Sequence, residues 1–591
     1  MTSGISNKLQ RAFLIAGCIL SASPLFSQVE QAFQENKSPT YEETITAYRK
    51  LAEAHPMAFL IEYGTTDAGI PLHMLLITKD QDVDPVSLRK RDKRIILINN
   101  AIHAGEPCGV DASIKFAQDL LNKKISSAYL DNVIICIIPG YNIGGMQNRN
   151  STTRVNQDGP QEYGFRGNAR NFDLNRDFIK ADSKNARTFA EIYHTWRPDI
   201  FVDTHTTNGA DYPYTMTLIP THPDKIHPLI GTYMRETMLP ELYKSMNAAG
   251  VLTTPYVNSI RQTPDDGIAG FLDSPRYSTG YTSLFNTIGF ITEAHMLKPY
   301  NERVMATYTF LVNILKFTSE NGQRIGKVRG IAAQEDRERK DFALSWKLDS
   351  TRSTPLMFKG YTAGYKPSDV TGKDRLYYDR EQPYEKAIPF YDTYRPADKV
   401  TAPVAYIIPQ AWKEVIDLLK ANKVTIQKLT QDMNIPVSAY YVEDYQTVET
   451  PFEGHYLHYN IKTRTEAQRI DFKKDDYVVY LNQSKNRFLI EVLEPRATDS
   501  YFAWNFFDVI LAQKEHFSPY VFEDLAAKYL AEHPDIKQQL DLKKLEDDAF
   551  AESPYQQLLW VYRQTPHYEA AHLRYPIFRL DKETTLPVKY E

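Results

Sequence analysis

At 591 residues the chain is too long for one hydrophobic core, and ordinary domain sizes call for about two to four domains. Hydrophobic residues at 42% and charged residues at 24% are ordinary globular values and exclude disorder on a large scale. A formal charge of -5, with no basic cluster that would reverse it, gives no electrostatic reason to expect a nucleic-acid partner.

The amino terminus reads as a secretory signal. Lys8 and Arg11 precede the apolar stretch 12–20, and the small-residue exit after it places a cut near Ser27. Residues 15–18 have the look of a lipoprotein box, but apolar residues continue past Cys18, which disfavours a lipid anchor there. No other window approaches the ~20 apolar residues of a membrane span, so no transmembrane segment is expected in the mature chain. Without the leader (1–27) only Cys108 and Cys136 remain, which is no disulfide framework. The expectation is an exported protein, periplasmic or secreted, held together by its cores.

Helical spacing marks 41–54, and 59–63 with 72–77 read as a strand pair around Gly69. The run 95–98 is a buried strand that leaves the sheet at Asn99 and Asn100. The loop after it carries His103 and Glu106, and Pro107 suits the first position of a helix continued by Val110, Ile114, Ala117 and Leu121. The unbroken apolar run 133–138 reads as a strand covered on both faces. Residues 142–178 are rich in Asn, Gly and Arg and lack periodicity; a loop that long is usually functional.

Asp182 is placed to cap a helix whose apolar face is Ala186, Phe189, Ile192, Tyr193 and Trp196. The strand 200–205 follows and delivers His205 at its carboxyl end. Further on come a helix within 228–249, a strand at 289–295 and a closing helix over 303–317. Alternating strands and helices imply an α/β fold, a mixed and largely parallel central sheet flanked by helices, over 41–320. The charged stretch 324–341 reads as a linker to a β-rich accessory domain at 340–520, with a helical segment over 521–591.

His103, Glu106 and His205 offer two imidazoles and one carboxylate, each just past the carboxyl end of a strand, where open α/β sheets place their sites. That donor set suits one Zn²⁺ ion with its fourth position left to water, and the lack of cysteine favours a catalytic over a structural site. A lone histidine after an apolar strand is more often a hydrogen-bonded core residue; here three candidate ligands emerge at one edge of one sheet.

The order of four motifs then carries a resemblance: His103-x-x-Glu106, Asp173-Leu-Asn175-Arg176, Asp203-Thr-His205 and Thr292-Glu293. Over 41–317 the chain resembles the zinc metallocarboxypeptidases of the carboxypeptidase A-like family, in particular long bacterial exported members with a carboxyl-terminal accessory domain. The resemblance implies that His103, Glu106 and His205 bind zinc, that Glu293 is the general base, and that Asn175 and Arg176 grip the free terminal carboxylate of a peptide substrate. It implies that Asp173 orients the first zinc histidine. It also implies an arginine that polarises the scissile carbonyl, for which Arg149, Arg154, Arg166 and Arg170 compete and Arg154 is preferred.

Departures from the family are equally plain. Ala104-Gly105 stands where digestive members have an arginine, so the second substrate subsite should differ. Tyr277 and Tyr281 compete for the family's mobile tyrosine, and Arg276 hints at an acidic substrate side chain or a structural salt bridge. No large inhibitory prodomain fits between Gln28 and Tyr41. The leading functional reading is a zinc carboxypeptidase. The alternatives are a zinc amidase acting on cell-wall peptides or N-acyl amino acids, and a catalytically inactive peptide-binding protein.

Overall fold

Two apolar runs that only burial on both faces can satisfy lie side by side at the centre of the amino-terminal half. The computed structural model describes residues 31–80 and 82–591; the leader with Cys18 and Ser27 lies outside the described residues. In chain order the half contains α1 (Tyr41–Ala54), β1 (Ala58–Thr65), β2 (Pro71–Ile77), β3 (Arg94–Asn99), α2 (Cys108–Leu121) and β4 (Val133–Ile138). It continues with α3 (Lys184–Trp196), β5 (Ile200–Thr206), β6 (Met216–Pro220), α4 (Leu239–Ala248), β7 (Thr253–Pro255), β8 (Ile268–Ala269), α5 (Ser278–Ser283), β9 (Ile288–Ala294) and α6 (Tyr300–Glu338).

Eight strands form one mixed sheet in the order β1-β2-β4-β3-β5-β9-β6-β7. The middle four, β4-β3-β5-β9, are parallel, and antiparallel pairs on either side join β2 to β4 and β6 to β9. Every residue of β3, β4 and β5 is buried, as expected of parallel strands covered by helices on both faces. Because β3, β5 and β9 run the same way, their carboxyl ends open on one edge, and the registers Asn99↔Asp203 and His205↔Glu293 bring those residues level across neighbouring strands.

The helix after β3 begins at Cys108 with Pro107 as its cap residue, one place later than the spacing suggested. Two other expectations are corrected, and one pair of strands had not been expected. Ser183, not Asp182, caps α3, its hydroxyl accepting from the Ala186 amide at 3.0 Å. The edge strands β6 and β7 had no alternation strong enough to mark them. The charged stretch read as a linker is the second half of α6, which runs for 39 residues and buries Ile325, Ala332 and Asp336 along one stripe. Sparse apolar residues suffice there because the helix leans on an existing core.

The carboxyl-terminal half is β-rich: β10 (Asp341–Leu348), β11 (Thr354–Pro367), β12 (Asp374–Tyr391), β13 (Tyr394–Thr401) and β14 (Ala405–Ile408) lead to α7 (Lys413–Ala421) and β15 (Gln427–Leu429). A second long hairpin, β16 (Met433–Thr447) with β17 (His458–Phe472), precedes β18 (Tyr477–Tyr480) and α8 (Asn486–Leu493). Helices α9 (Pro519–Glu532), α10 (Pro534–Glu546) and α11 (Pro554–Tyr562) follow, and then β19 (Phe578–Leu580) and β20 (Val588–Tyr590) return to a seven-stranded sheet. The carboxyl-terminal part is therefore helical only in its first portion. No described helix is long and apolar enough to cross a membrane.

The halves share one hydrophobic core. Phe342, Leu344, Ile408, Phe488 and Tyr501 belong to the same buried cluster as Ile96, Ile135 and Phe201. At the seam the Phe285 and Phe488 rings lie 5.5 Å apart. The aromatic run at 501–507, whose density also suits a ligand-facing surface, is internal: Tyr501, Phe502, Trp504 and Phe507 are all buried. Phe488→Ala is expected to destabilise the protein by about 3–5 kcal/mol and to lower the unfolding midpoints of both halves together in calorimetry; independent transitions would contradict the shared core.

Candidate metal centre and active site

Strand β3 ends at Asn99, and the tight loop after it aims His103 and Glu106 back over the sheet edge; β5 delivers His205 beside them. The three side chains are buried, and their ligand atoms all lie within 4.8 Å of one another. His205 Nδ1 is 3.2 Å from His103 Nδ1 and 3.1 Å from Glu106 Oε2, while His103 Nδ1 is 3.3 Å from Glu106 Oε1. Both imidazoles thus turn the same nitrogen, Nδ1, toward one point.

A carboxylate stands behind each far nitrogen, hydrogen-bonded at His103 and in ion-pair contact at His205. His103 Nε2 lies 3.0 Å from Asp173 Oδ1, and His205 Nε2 lies 3.1 Å from Asp203 Oδ2. A carboxylate behind a ligating imidazole fixes its tautomer and raises its basicity. Asp203 had no assigned role in the sequence reading, yet strand alternation puts residues two apart on one face, and that spacing is the signal that could have found it. It is itself anchored by the Asn99 amide at 3.1 Å.

Electrostatics fit a cation. Burial pushes the Glu106 carboxyl up, but Arg154, His103 and His205 overcome it and hold it well below the usual range. Burial disfavours an imidazolium at His205, yet Asp203 and Glu106 on its two sides hold its pKa well above the ordinary value. The chain alone therefore gathers positive charge at the point where both Nδ1 atoms meet, which is the demand a divalent ion answers. Two imidazoles and a carboxylate are also donors that zinc accepts.

Glu293 stands one strand over, level with His205, partly open to the cleft. Its carboxylate accepts no hydrogen bond among the described residues. Burial raises it to about 7 against the pull of His205; Glu106 adds to the rise, and Arg154 and Arg166 oppose it.

The four competing arginines separate cleanly. Arg149 is spent on the carbonyls of Ser38, Pro39 and Glu162, and Arg170 bonds the Asp182 carbonyl and covers Phe172. Arg154 and Arg166 are at the cluster. Arg154 donates to Glu106 Oε1 at 2.7 Å and to Gln157 Oε1 at 2.9 Å; Arg166 lies 2.9 Å from Asp173 Oδ2 and 3.7 Å from Glu106 Oε1. Gly105 is needed here, because a Cβ on it would sit 2.6 Å from Arg154 Cδ.

Residues 44–307 match the family model described as zinc carboxypeptidase. The chain carries a zinc carboxypeptidase domain. Among curated proteins, Carboxypeptidase 2 of Trichophyton equinum is 24% identical over 515 residues, covering 81% of this chain and 87% of that one. Carboxypeptidase 2 of Trichophyton rubrum is 23% identical over 511 residues, with the same coverages. A solved metallo-carboxypeptidase from Burkholderia cenocepacia is similar at 17% identity, with a TM-score of 0.36 over 48% of this chain and 70% of that one. The family match over 44–307 and the curated relatives named carboxypeptidase support a metallocarboxypeptidase hydrolase.

In the carboxypeptidase domain the loop 168–182 carries the remaining motif residues. Asp173 caps a short turn by accepting from the Asn175 amide at 2.9 Å; burial disfavours its charge, but His103, Arg166 and Arg176 hold its carboxyl below the usual range. Asn175 Oδ1 accepts from the Ser278 amide at 3.0 Å, which ties the loop to α5. Arg176 Nη1 donates to the Asn175 carbonyl at 2.8 Å, and its guanidinium lies 4.4 Å from the Tyr277 ring centroid. Of the two tyrosines, Tyr281 is internal, its hydroxyl donating to Asn422 Oδ1 at 2.6 Å, whereas Tyr277 faces Arg176 and Phe271.

Two residues near the carboxypeptidase site do other work. Arg276 is held by Asp499, at 2.7 Å from its Nη2 and 2.8 Å from its Nε, and covers Trp504, so it is an anchor to the carboxyl-terminal half rather than a pocket residue. His295 pairs with Asp211 at 3.2 Å, outside the ligand cluster. The accessory half also reaches the motif loop directly: Glu453, at the tip of the β16–β17 hairpin, accepts from the Asp173 amide at 2.8 Å, and His455 Nε2 lies 2.7 Å from Asp182 Oδ2. Asp203→Asn should weaken zinc affinity by about 10- to 100-fold in competition dialysis while leaving the fold intact by circular dichroism; unchanged affinity would remove Asp203 from the site.

Proposed function

We propose that the protein is an exported zinc carboxypeptidase that removes residues from the free carboxyl end of peptides. The observation that carries this reading is the meeting of His103 Nδ1, His205 Nδ1 and Glu106 beside a carboxylate, Glu293, that accepts no hydrogen bond among the described residues. One zinc ion bound by the three would polarise the scissile carbonyl and lower the pKa of water.

The chain's own residues supply the rest. Glu293 takes a proton from the attacking water and delivers it to the departing amine; burial, which raises its affinity for a proton, suits a group that must both accept and release one. Arg154 places a guanidinium beside the ligand cluster, where a carbonyl oxygen gains negative charge as it is attacked. Asn175 and Arg176 take the terminal carboxylate of the substrate, for which the planar guanidinium offers two parallel bonds. Tyr277 stacks on Arg176 and closes that side. Asp173 and Asp203 hold the two histidines in orientation.

Glu293→Gln is expected to retain one zinc per chain by elemental analysis and to lose at least ~10²- to 10⁴-fold in kcat, the usual worth of a positioned general base. Wild-type turnover in that variant would overturn the base assignment. Arg176→Gln should reduce kcat/KM about 100-fold on peptides with a free carboxyl end, the loss of a bidentate charged contact. Carboxyl-amidated peptides should be poor substrates for both forms. Preferential hydrolysis of cell-wall fragments or N-acyl amino acids would favour the amidase reading instead, and peptide binding without turnover the inactive one.

A further inference from the structure

The carboxyl ends of β3, β5 and β9 carry the ligand cluster; their amino ends open on a different feature. A cavity of about 820 Å³ lies there, between Arg94 at the start of β3, Asp199 before β5, Thr287 before β9, the second half of α6, and Lys423 with Lys485 of the carboxyl-terminal half. Strands of six or seven residues at ~3.3 Å per residue put it about 20 Å from His103 and His205. It therefore does not belong to the peptidase site.

Its lining is strongly basic, and its acids are already committed. Asp199 accepts from the Ile95 amide at 2.9 Å and pairs with Arg94 at 3.4 Å and with Arg329; Asp92 pairs with Arg94; Lys93 reaches Asp80 at 2.5 Å. That leaves Arg89, Lys90, Arg197, Arg337, Lys423 and Lys485 around the cavity with no carboxylate in ion-pairing reach among the described residues. The chain as a whole carries a negative net charge, so this lining runs against its overall balance.

Lys485 is the informative member. Its Nζ donates to His194 Nδ1 at 2.7 Å and lies 4.3 Å from the Phe285 ring centroid. His194 gives its other nitrogen to Asn422 Oδ1 at 3.2 Å, an oxygen that also accepts from Tyr281. The imidazole is thus fixed as a neutral acceptor, and burial, with Lys485, Arg197 and Lys423 around it, keeps its pKa well below the ordinary value. Burial and the charge of Arg197 lower Lys485 to about 7. A half-buried amine held by a neutral ring, beside Arg197 and Lys423, is a site that an anion would stabilise.

We propose that this cavity binds a small ligand bearing several phosphate or sulfate groups, with Lys485, Arg197 and Lys423 as its central contacts and Arg89 and Arg337 at the rim. The volume is at the upper end of the ~300–1,000 Å³ of ordinary ligand pockets, enough for an oligoanion of drug size. Guanidinium groups suit tetrahedral oxyanions because they make paired, charge-assisted bonds.

The test uses the full-length protein with its metal and a trisulfonated pyrene dye as probe, chosen because sulfonates bind metal weakly. Fluorescence anisotropy at low salt should show saturable binding that weakens at least tenfold on raising salt from about 20 to about 200 mM, where screening is strong. The double variant with Arg197→Gln and Lys485→Met should bind at least tenfold more weakly, and Arg337→Gln, an exposed change that spares the fold, about threefold more weakly. A charge-matched control carrying Lys528→Gln and Lys537→Gln should bind like the wild type. Displacement of the dye by inorganic tripolyphosphate in metal-free protein, or by a sulfated disaccharide, would distinguish phosphate from sulfate as the natural group. Absence of binding, or equal affinity in the wild type, Arg337→Gln and the Arg197/Lys485 variant, would overturn the proposal.

Discussion

Two imidazoles facing one point with a carboxylate between them cannot be left alone in a protein interior. Each lone pair needs a proton or a metal, and each ring needs a partner behind it to keep it facing inward. Asp173 and Asp203 provide that support, Asn99 and the short turn at 173–176 hold the two acids, and the parallel register of β3, β5 and β9 sets the spacing. The rest of the amino-terminal half can be understood as what it takes to keep those strand ends level: apolar strands buried on both faces, with α2, α3 and α6 covering them.

The carboxyl-terminal half is tied to that arrangement rather than attached beside it. Asp499 holds Arg276 from below α5, Glu453 caps the Asp173 amide, and His455 bonds Asp182 at the far end of the same loop. The loop that carries Asn175 and Arg176 therefore takes its shape from both halves. Trp504, in an aromatic stretch whose sequence favours a domain–domain contact over a binding face, is buried beneath Arg276 and Lys180. The long match to curated carboxypeptidases, covering 81% of this chain, extends well past the family domain and fits this shared construction.

Much of the site could be read before any coordinates because its information is local. A strand, a tight elbow and a helix start fix His103 and Glu106, and an apolar strand ending in Asp-Thr-His fixes His205 and Asp203 alike. What stayed hidden depends on contacts between distant segments. Arg154 and Arg166 could not be separated from Arg149 and Arg170 without knowing which guanidinium returns over Gly105. The true cap of α3 was a matter of one residue. The charged half of α6 read as a linker because its buried stripe is thin, and a helix packed on an existing core needs few apolar residues. The basic cavity is the extreme case: residues 89–94 are dense in lysine and arginine, but the chain closes a basic concavity only when that stretch meets Arg197, the second half of α6, Lys423 and Lys485.

Binding of a single metal through Nδ1 of both histidines can be checked in an anomalous diffraction map collected at the zinc edge from crystals of the protein. One strong peak is expected about 2.0–2.2 Å from His103 Nδ1, His205 Nδ1 and a Glu106 oxygen, in line with known zinc bond lengths. A peak coordinated through Nε2, a peak elsewhere, or none in zinc-replete crystals would contradict it.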